Sequence, residues 1–221
     1  RRVWMPCLLI VITSGCSGKP IWAPSTTGLL VGKTENSIEC IDLDTGAART
    51  LLALEGFRPL KRATVAYDPK QDVLYVLNSA NARNALLKYE LDSEKSGREI
   101  VSFASWADAR SRDPGYDMAL SPSGRQLCVV GVLGPTHMVA MIDTASGRCE
   151  TLRLDIPGGQ WVAAFVEWID ETRILFGLYR PHRPFVLYEL QVESGKINVV
   201  CTQMGSVAVL PGGKSAIMVD T

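Results

Sequence analysis

The sequence predicts an all-β chain built from repeated four-stranded antiparallel sheets. Three observations predict this. A pattern of about fifty residues recurs along the chain. Each copy reads as two apolar hairpins closed by turn residues. No window keeps a helical period over the roughly 10–12 residues a helix needs.

The first phrase of the repeat appears at 63–78 (ATVAYDPKQDVLYVLN), 116–131 (YDMALSPSGRQLCVVG), 161–177 (WVAAFVEWIDETRILFG) and 205–220 (GSVAVLPGGKSAIMVD). Each is an apolar strand, a turn containing Asp, Pro or Gly, and a second apolar strand. Pro presets φ near −65°, and Gly takes the positive φ that side chains disfavour. The second phrase appears at 36–54, 85–103, 137–154 and 184–201. A glycine closes each of its turns: Gly46, Gly97, Gly147 and Gly195, at intervals of 51, 50 and 48 residues. Asp44, Asp68, Asp92, Asp143 and Asp170 recur with these turns and are read as turn chemistry rather than paired catalytic carboxylates.

Two successive hairpins make a four-stranded unit that cannot bury both faces alone. Stacking such units around an axis buries them, which is the logic of a β-propeller. The blades are expected at about 28–54, 63–104, 116–154, 161–202 and 205–221. About four are visible. The innermost strand of the first would have to lie in 20–27, where Pro20 and Pro24 argue against it. The last has two strands only, so the propeller domain, 28–221, is expected to be incomplete.

The first 27 residues differ from the rest. Arg1 and Arg2 precede an apolar run from Val3 to Ile12, then Thr13-Ser14-Gly15 and Cys16. This is the layout of a secretory signal, and the apolar run is about half the roughly 20 residues that span a bilayer. Small residues before a cysteine make it resemble a bacterial lipoprotein signal. That resemblance implies a signal peptide over 1–15, lipid attachment at Cys16, a linker over 16–27, and display at the cell envelope on its periplasmic or extracellular face. Thr13 departs from the leucine usual in that family.

With Tyr75-Val76-Leu77-Asn78 before the second hairpin, 74–100 resembles the YVTN-type propeller repeat, Leu77 standing for Thr. Residues 209–220 also resemble the TolB-type repeat. The resemblance covers roughly 28–221. It implies the propeller fold and leaves function open, since its relatives include periplasmic surface-layer-like proteins, lactonases, nitrite reductase propellers and quinoprotein dehydrogenases.

Lys+Arg and Asp+Glu balance at 23 each. A neutral chain has no electrostatic reason to seek phosphate backbones, so nucleic acid is not an expected partner. Beyond Cys16 the cysteines are Cys40, Cys128, Cys149 and Cys201. Cys128 and Cys149 fall on strands separated by a third, about 10 Å apart, beyond the roughly 7 Å a disulfide allows. Cys40 and Cys201 fall in non-adjacent blades. No disulfide is expected.

The chemistry-bearing residues concentrate in loops between second and third strands (79–85, 132–137, 180–184) and between blades (55–62, 105–115, 155–160). Arg83, Arg110, Arg112, His137, Arg180, His182 and Arg183 are the candidate ligand-binding residues, because guanidinium forks suit carboxylate or phosphate. The bland alternative is a solvated edge that discourages sheet pairing. His137 and His182 fall in equivalent loops of neighbouring blades. Sheets about 10 Å apart hold them too far apart to share a metal whose bonds are about 2.0–2.1 Å. No catalytic residue, metal or cofactor is assigned. Trp22, Trp106, Trp161 and Trp168 are read as packing between blades. The expected function is an envelope scaffold binding a protein or carbohydrate partner. The competing class is a periplasmic propeller enzyme, lactonase-like or quinoprotein-like.

Overall fold

The computed structural model describes residues 21–24, 29–33, 37–42, 44–53, 64–78, 85–92, 97–103, 117–133, 136–154, 156, 162–179, 185–203, 206–209 and 216–219. Four antiparallel sheets of four strands follow one another, each with its strands in chain order. Blade one holds β1 (Ile21–Pro24), β2 (Leu29–Lys33), β3 (Ser37–Asp42) and β4 (Ala48–Ala53). Blade two holds β5 (Thr64–Asp68), β6 (Val73–Asn78), β7 (Ala85–Glu90) and β8 (Arg98–Ser102). Blade three holds β9 (Asp117–Leu120), β10 (Gln126–Leu133), β11 (Thr136–Asp143) and β12 (Cys149–Leu154). Blade four holds β13 (Val162–Asp170), β14 (Arg173–Tyr179), β15 (Phe185–Gln191) and β16 (Lys196–Gln203). β17 (Ser206–Val209) and β18 (Ala216–Val219) form a two-stranded sheet. The sheets do not close into a ring.

Strand β1 corrects the expectation drawn from Pro20 and Pro24. Residues 21–24, assigned above to a linker, pair with β2, Ile21 opposite Lys33 and Pro24 opposite Leu30. The strand lies at the sheet edge and Pro24 is its last residue, a place where a missing N–H costs no ladder bond.

Alternation within each second strand decides what it packs against. In β6, Val73, Tyr75 and Leu77 face blade three and join Met118, Leu127 and Val129. Leu74 and Val76, between them, face blade one and join Ile38, Cys40 and Leu51. In β10, Leu127 and Val129 face blade two, whereas Cys128 and Val130 face blade four and meet Val166, Trp168 and Phe176. A strand buried on both faces therefore reads as one continuous apolar run. Each such Val, Leu or Phe contributes roughly 1.5–3 kcal/mol by burial. Trp168 is fully buried and its Nε1 donates to the Ala119 carbonyl at 3.0 Å, so it ties blade four to blade three.

The turns follow the expected chemistry with two corrections. Asp68, Asp143 and Asp170 each accept a backbone N–H two or three residues on. In blade one that role falls to Asp42, which accepts from Asp44 and Thr45 at 2.9 and 2.8 Å. Gly46, Gly147 and Gly195 have φ of 71°, 74° and 65°. Gly97 does not have a positive φ. It is required because Tyr89 lies against it, and a Cβ there would sit 2.4 Å from the ring.

The outer strands carry a repeated irregularity. β4, β8 and β16 each hold one extra residue against the third strand: Leu51, Ile100 and Val200. In β12 the pairing runs without a break. The turn of the next blade rests on this outer strand. A Cβ on Gly147 would lie 3.3 Å from the Ile100 carbonyl, and one on Gly195 would lie 3.5 Å from the Leu152 side chain. Among the described residues nothing lies within 4 Å of where a Cβ on Gly46 would be, and Val199 and Val200 are 61% and 52% exposed.

Candidate functional site

Adjacent sheets approach most closely along their first strands, β5, β9 and β13. These are the strands nearest a propeller axis. Two of them carry carboxyl groups in poor contact with water. Asp117 opens β9, where blade two has Thr64, and its Oδ2 accepts the Val166 N–H of β13 at 2.9 Å. Burial pushes its carboxyl up to about 7, against the hydrogen bonds from the Met118 and Val166 backbone. Glu167, the residue after Val166, lies between Phe165 and Ile169 and opposite Leu175. That face of blade four also carries Leu187 and Cys201. Burial again dominates, and the nearby charge of Asp117 adds to it, so Glu167 is pushed up to about 8. Cys128, fully buried beside Asp117, is a thiol raised by burial and by the same charge.

Both carboxyls therefore change charge near neutral pH. In the neutral state each is a hydrogen-bond donor, able to meet a ligand oxygen or hold a proton. Among the described residues no three His, Cys, Asp or Glu groups converge as a metal would need. Sequence reasoning missed this pair because it searched the loops. The available signal was a charge inside an otherwise apolar strand, Glu167 in "FVEWID" and Asp117 at the head of "DMAL".

Other polar groups join neighbouring blades at one end of the stack. Arg49 of β4 donates to the Tyr67 hydroxyl at 2.7 Å and pairs with Asp72, and Tyr67 also donates to Asp72. Lys70 Nζ donates to the Pro122 carbonyl at 3.3 Å. The Ser123 N–H and hydroxyl donate to the two oxygens of Glu171 at 2.6 and 2.9 Å. All of these belong to the end formed by the turns between strands one and two and between strands three and four.

The connections that carry the sequence-predicted candidates leave from strand ends at the opposite end. There β6 ends at Asn78 and β7 begins at Ala85, and β14 ends at Tyr179 and β15 begins at Phe185. His137 is not in a loop as expected. It is the second residue of β11, between Val132 of β10 and Leu154 of β12, because both strands extend to within two residues of each other. Arg83, Arg110, Arg112, Arg180, His182 and Arg183 lie outside the described residues, as does the lipid-attachment candidate Cys16. So do Trp106 and Trp161. Cys40 and Cys128 are buried free thiols, and Cys149 and Cys201 are half-buried ones.

No protein-family model matches the sequence, and comparison with curated proteins finds no match. Solved structures do resemble the fold. TolB from Acinetobacter baumannii is 14% identical with a TM-score of 0.57, over 86% of this chain and 45% of that one. A protein designated TolB from Agrobacterium tumefaciens is 13% identical with a TM-score of 0.57, over 85% and 62%. A chain of the nidogen/laminin complex is 15% identical with a TM-score of 0.53, over 80% and 59%. The fold is that of β-propeller proteins. This chain spans about half the length of the structures it resembles.

Proposed function

We propose that this chain belongs to an envelope-displayed propeller, lipid-anchored through Cys16, that binds a protein or carbohydrate partner. The binding face is the strand-end rim bearing Arg83, Arg110, Arg112, Arg180, His182 and Arg183. One observation carries this reading. The end of the stack made by tight turns is tied to itself by Arg49, Lys70, Ser123 and Glu171, which leaves the opposite end, whose connections in blades two and four carry arginine, as the proposed ligand face. The likeness to a propeller taken from a protein–protein complex supports binding as the mode of action. The finer likeness to the YVTN repeat rests on Tyr75-Val76-Leu77-Asn78, and the envelope address rests on the residues before Cys16.

The test uses the complete protein. Labelled palmitate should enter the wild type and fail to enter Cys16→Ser. Glycan-array and cross-linking profiles should show saturable binding that is lost in Arg180→Glu with Arg183→Glu while the melting profile is kept. Turnover of a lactone by the complete protein, abolished by changing His182, would replace this reading with an enzymatic one.

A further inference from the structure

Two polar atoms are buried at the junction of blades two and three with no direct hydrogen-bond partner: Asp68 Oδ2 and the Tyr75 hydroxyl. Asp68 is 2% exposed and Tyr75 is fully buried. The other Asp68 oxygen is engaged by the Lys70 N–H at 2.9 Å. Leaving a buried carboxylate oxygen and a buried phenol both unpaired is costly, and native interiors rarely do so.

The two atoms share one neighbourhood. Asp68 Oδ2 lies over Gly124 of blade three so closely that a Cβ there would be 2.6 Å from it. The Gly124 carbonyl accepts from the Thr144 hydroxyl at 2.8 Å. Thr144 is itself buried. Its hydroxyl lies near enough to Tyr75 to offset part of the rise that burial imposes on the phenol, and the Asp68 charge adds to that rise.

The cluster breaks the repeat. The place of Tyr75 is taken by Cys128 in blade three and Leu175 in blade four, opposite Ala119 and Glu167 on the first strands as Tyr75 is opposite Ala66. The place of Thr144 is taken by Leu91 and Val192, whose backbone N–H groups make the same bond to the turn between strands one and two. Among the described residues, this junction is the one where a phenol and a hydroxyl stand in those two places beside the turn carboxylate.

We infer that Asp68, Tyr75 and Thr144 hold one ordered internal water that pins blade two to blade three. The water donates to Asp68 Oδ2, accepts from the Tyr75 hydroxyl and meets Thr144 Oγ1. That gives it about three hydrogen bonds, the number usual for buried water. A cation is the lesser fit. The Tyr75 proton needs an acceptor, which a metal ion does not provide, and a hard cation seeks about six oxygen ligands or more.

A crystal structure of the chain at high resolution tests this first. The expected result is a single peak about 2.7–3.2 Å from the three oxygens. No peak, or a peak with five or more oxygens at about 2.3–2.6 Å, overturns the proposal. A double-mutant cycle reads the same question in solution. Tyr75→Phe and Thr144→Val should each lower the folding equilibrium constant about tenfold, and the double variant little more than either alone, because both act through one water. Independent effects that multiply to about a hundredfold overturn it. Folding stability that depends on whether the salt is sodium, potassium or calcium, at equal ionic strength, also overturns it.

Discussion

Replacing Asp117 by Asn removes an ionisable group and keeps the acceptor that Val166 N–H needs. In the folded chain this carboxyl is raised from 3.8 to about 7. The folded state therefore holds a proton that the unfolded chain has released between pH about 4 and about 7. Stability from this group is fully present below the unfolded value, falls as pH rises through that window, and levels off above it. The slope is about 1.4 kcal/mol per pH unit, so the whole effect is about 4 kcal/mol. The groups lowered in the folded state, Asp42, Asp143 and Asp170, act with the opposite sign and at lower pH. Urea unfolding followed by tryptophan fluorescence at pH 5, 6, 7 and 8 isolates Asp117. Between pH 5 and 7 the wild type should lose about 2.3 kcal/mol more than Asp117→Asn does, the slope flattening as the folded group titrates near pH 7. Parallel profiles for the two proteins would show that Asp117 is ionised throughout and refute the argument.

Other outcomes follow from the blade contacts. Gly124→Ala places a Cβ 2.6 Å from Asp68 Oδ2 at a φ of 75°, and should cost about 1–3 kcal/mol in urea unfolding; an unchanged midpoint would mean that the two blades do not approach as described. Trp168→Phe removes the donor to the Ala119 carbonyl and leaves space at the junction of blades three and four. It should cost about 2–4 kcal/mol, and a loss under 1 kcal/mol would place the indole outside that junction. A chain beginning at residue 17 should titrate four free thiols in denaturant, and Cys128 should react slowest without denaturant because it is fully buried. Fewer than four would reveal a disulfide.

Much of the fold was legible because turn chemistry is local. Pro-Lys-Gln-Asp at 69–72 and Pro-Ser-Gly at 122–124 mark hairpins whatever surrounds them. The double-sided burial of β6 and β10 was legible as unbroken apolar runs. What escaped depends on neighbours in space. Pro24 forbids an inner strand and permits an edge, and only the pairing with β2 distinguishes the two. Gly97 looks like the other turn glycines, yet its reason is the Tyr89 ring. His137 looked like a loop residue because Gly134-Pro135 suggested a longer break than two residues. Asp117 and Glu167 show in the sequence only as charges in apolar strands; their chemistry comes from the close approach of β9 and β13.

The contact between Gly147 and Ile100, repeated between Gly195 and Leu152, has a direction. In both described cases a turn leans on the outer strand of the preceding blade. The stack is thus polar, like a row of overlapping tiles. One terminus offers a turn at Gly46, and the other offers a bare strand at Val199 and Val200. Such ends are unlike and complementary. A blade added to either end repeats the same one-way overlap, so the order of the stack is head to tail rather than two-fold.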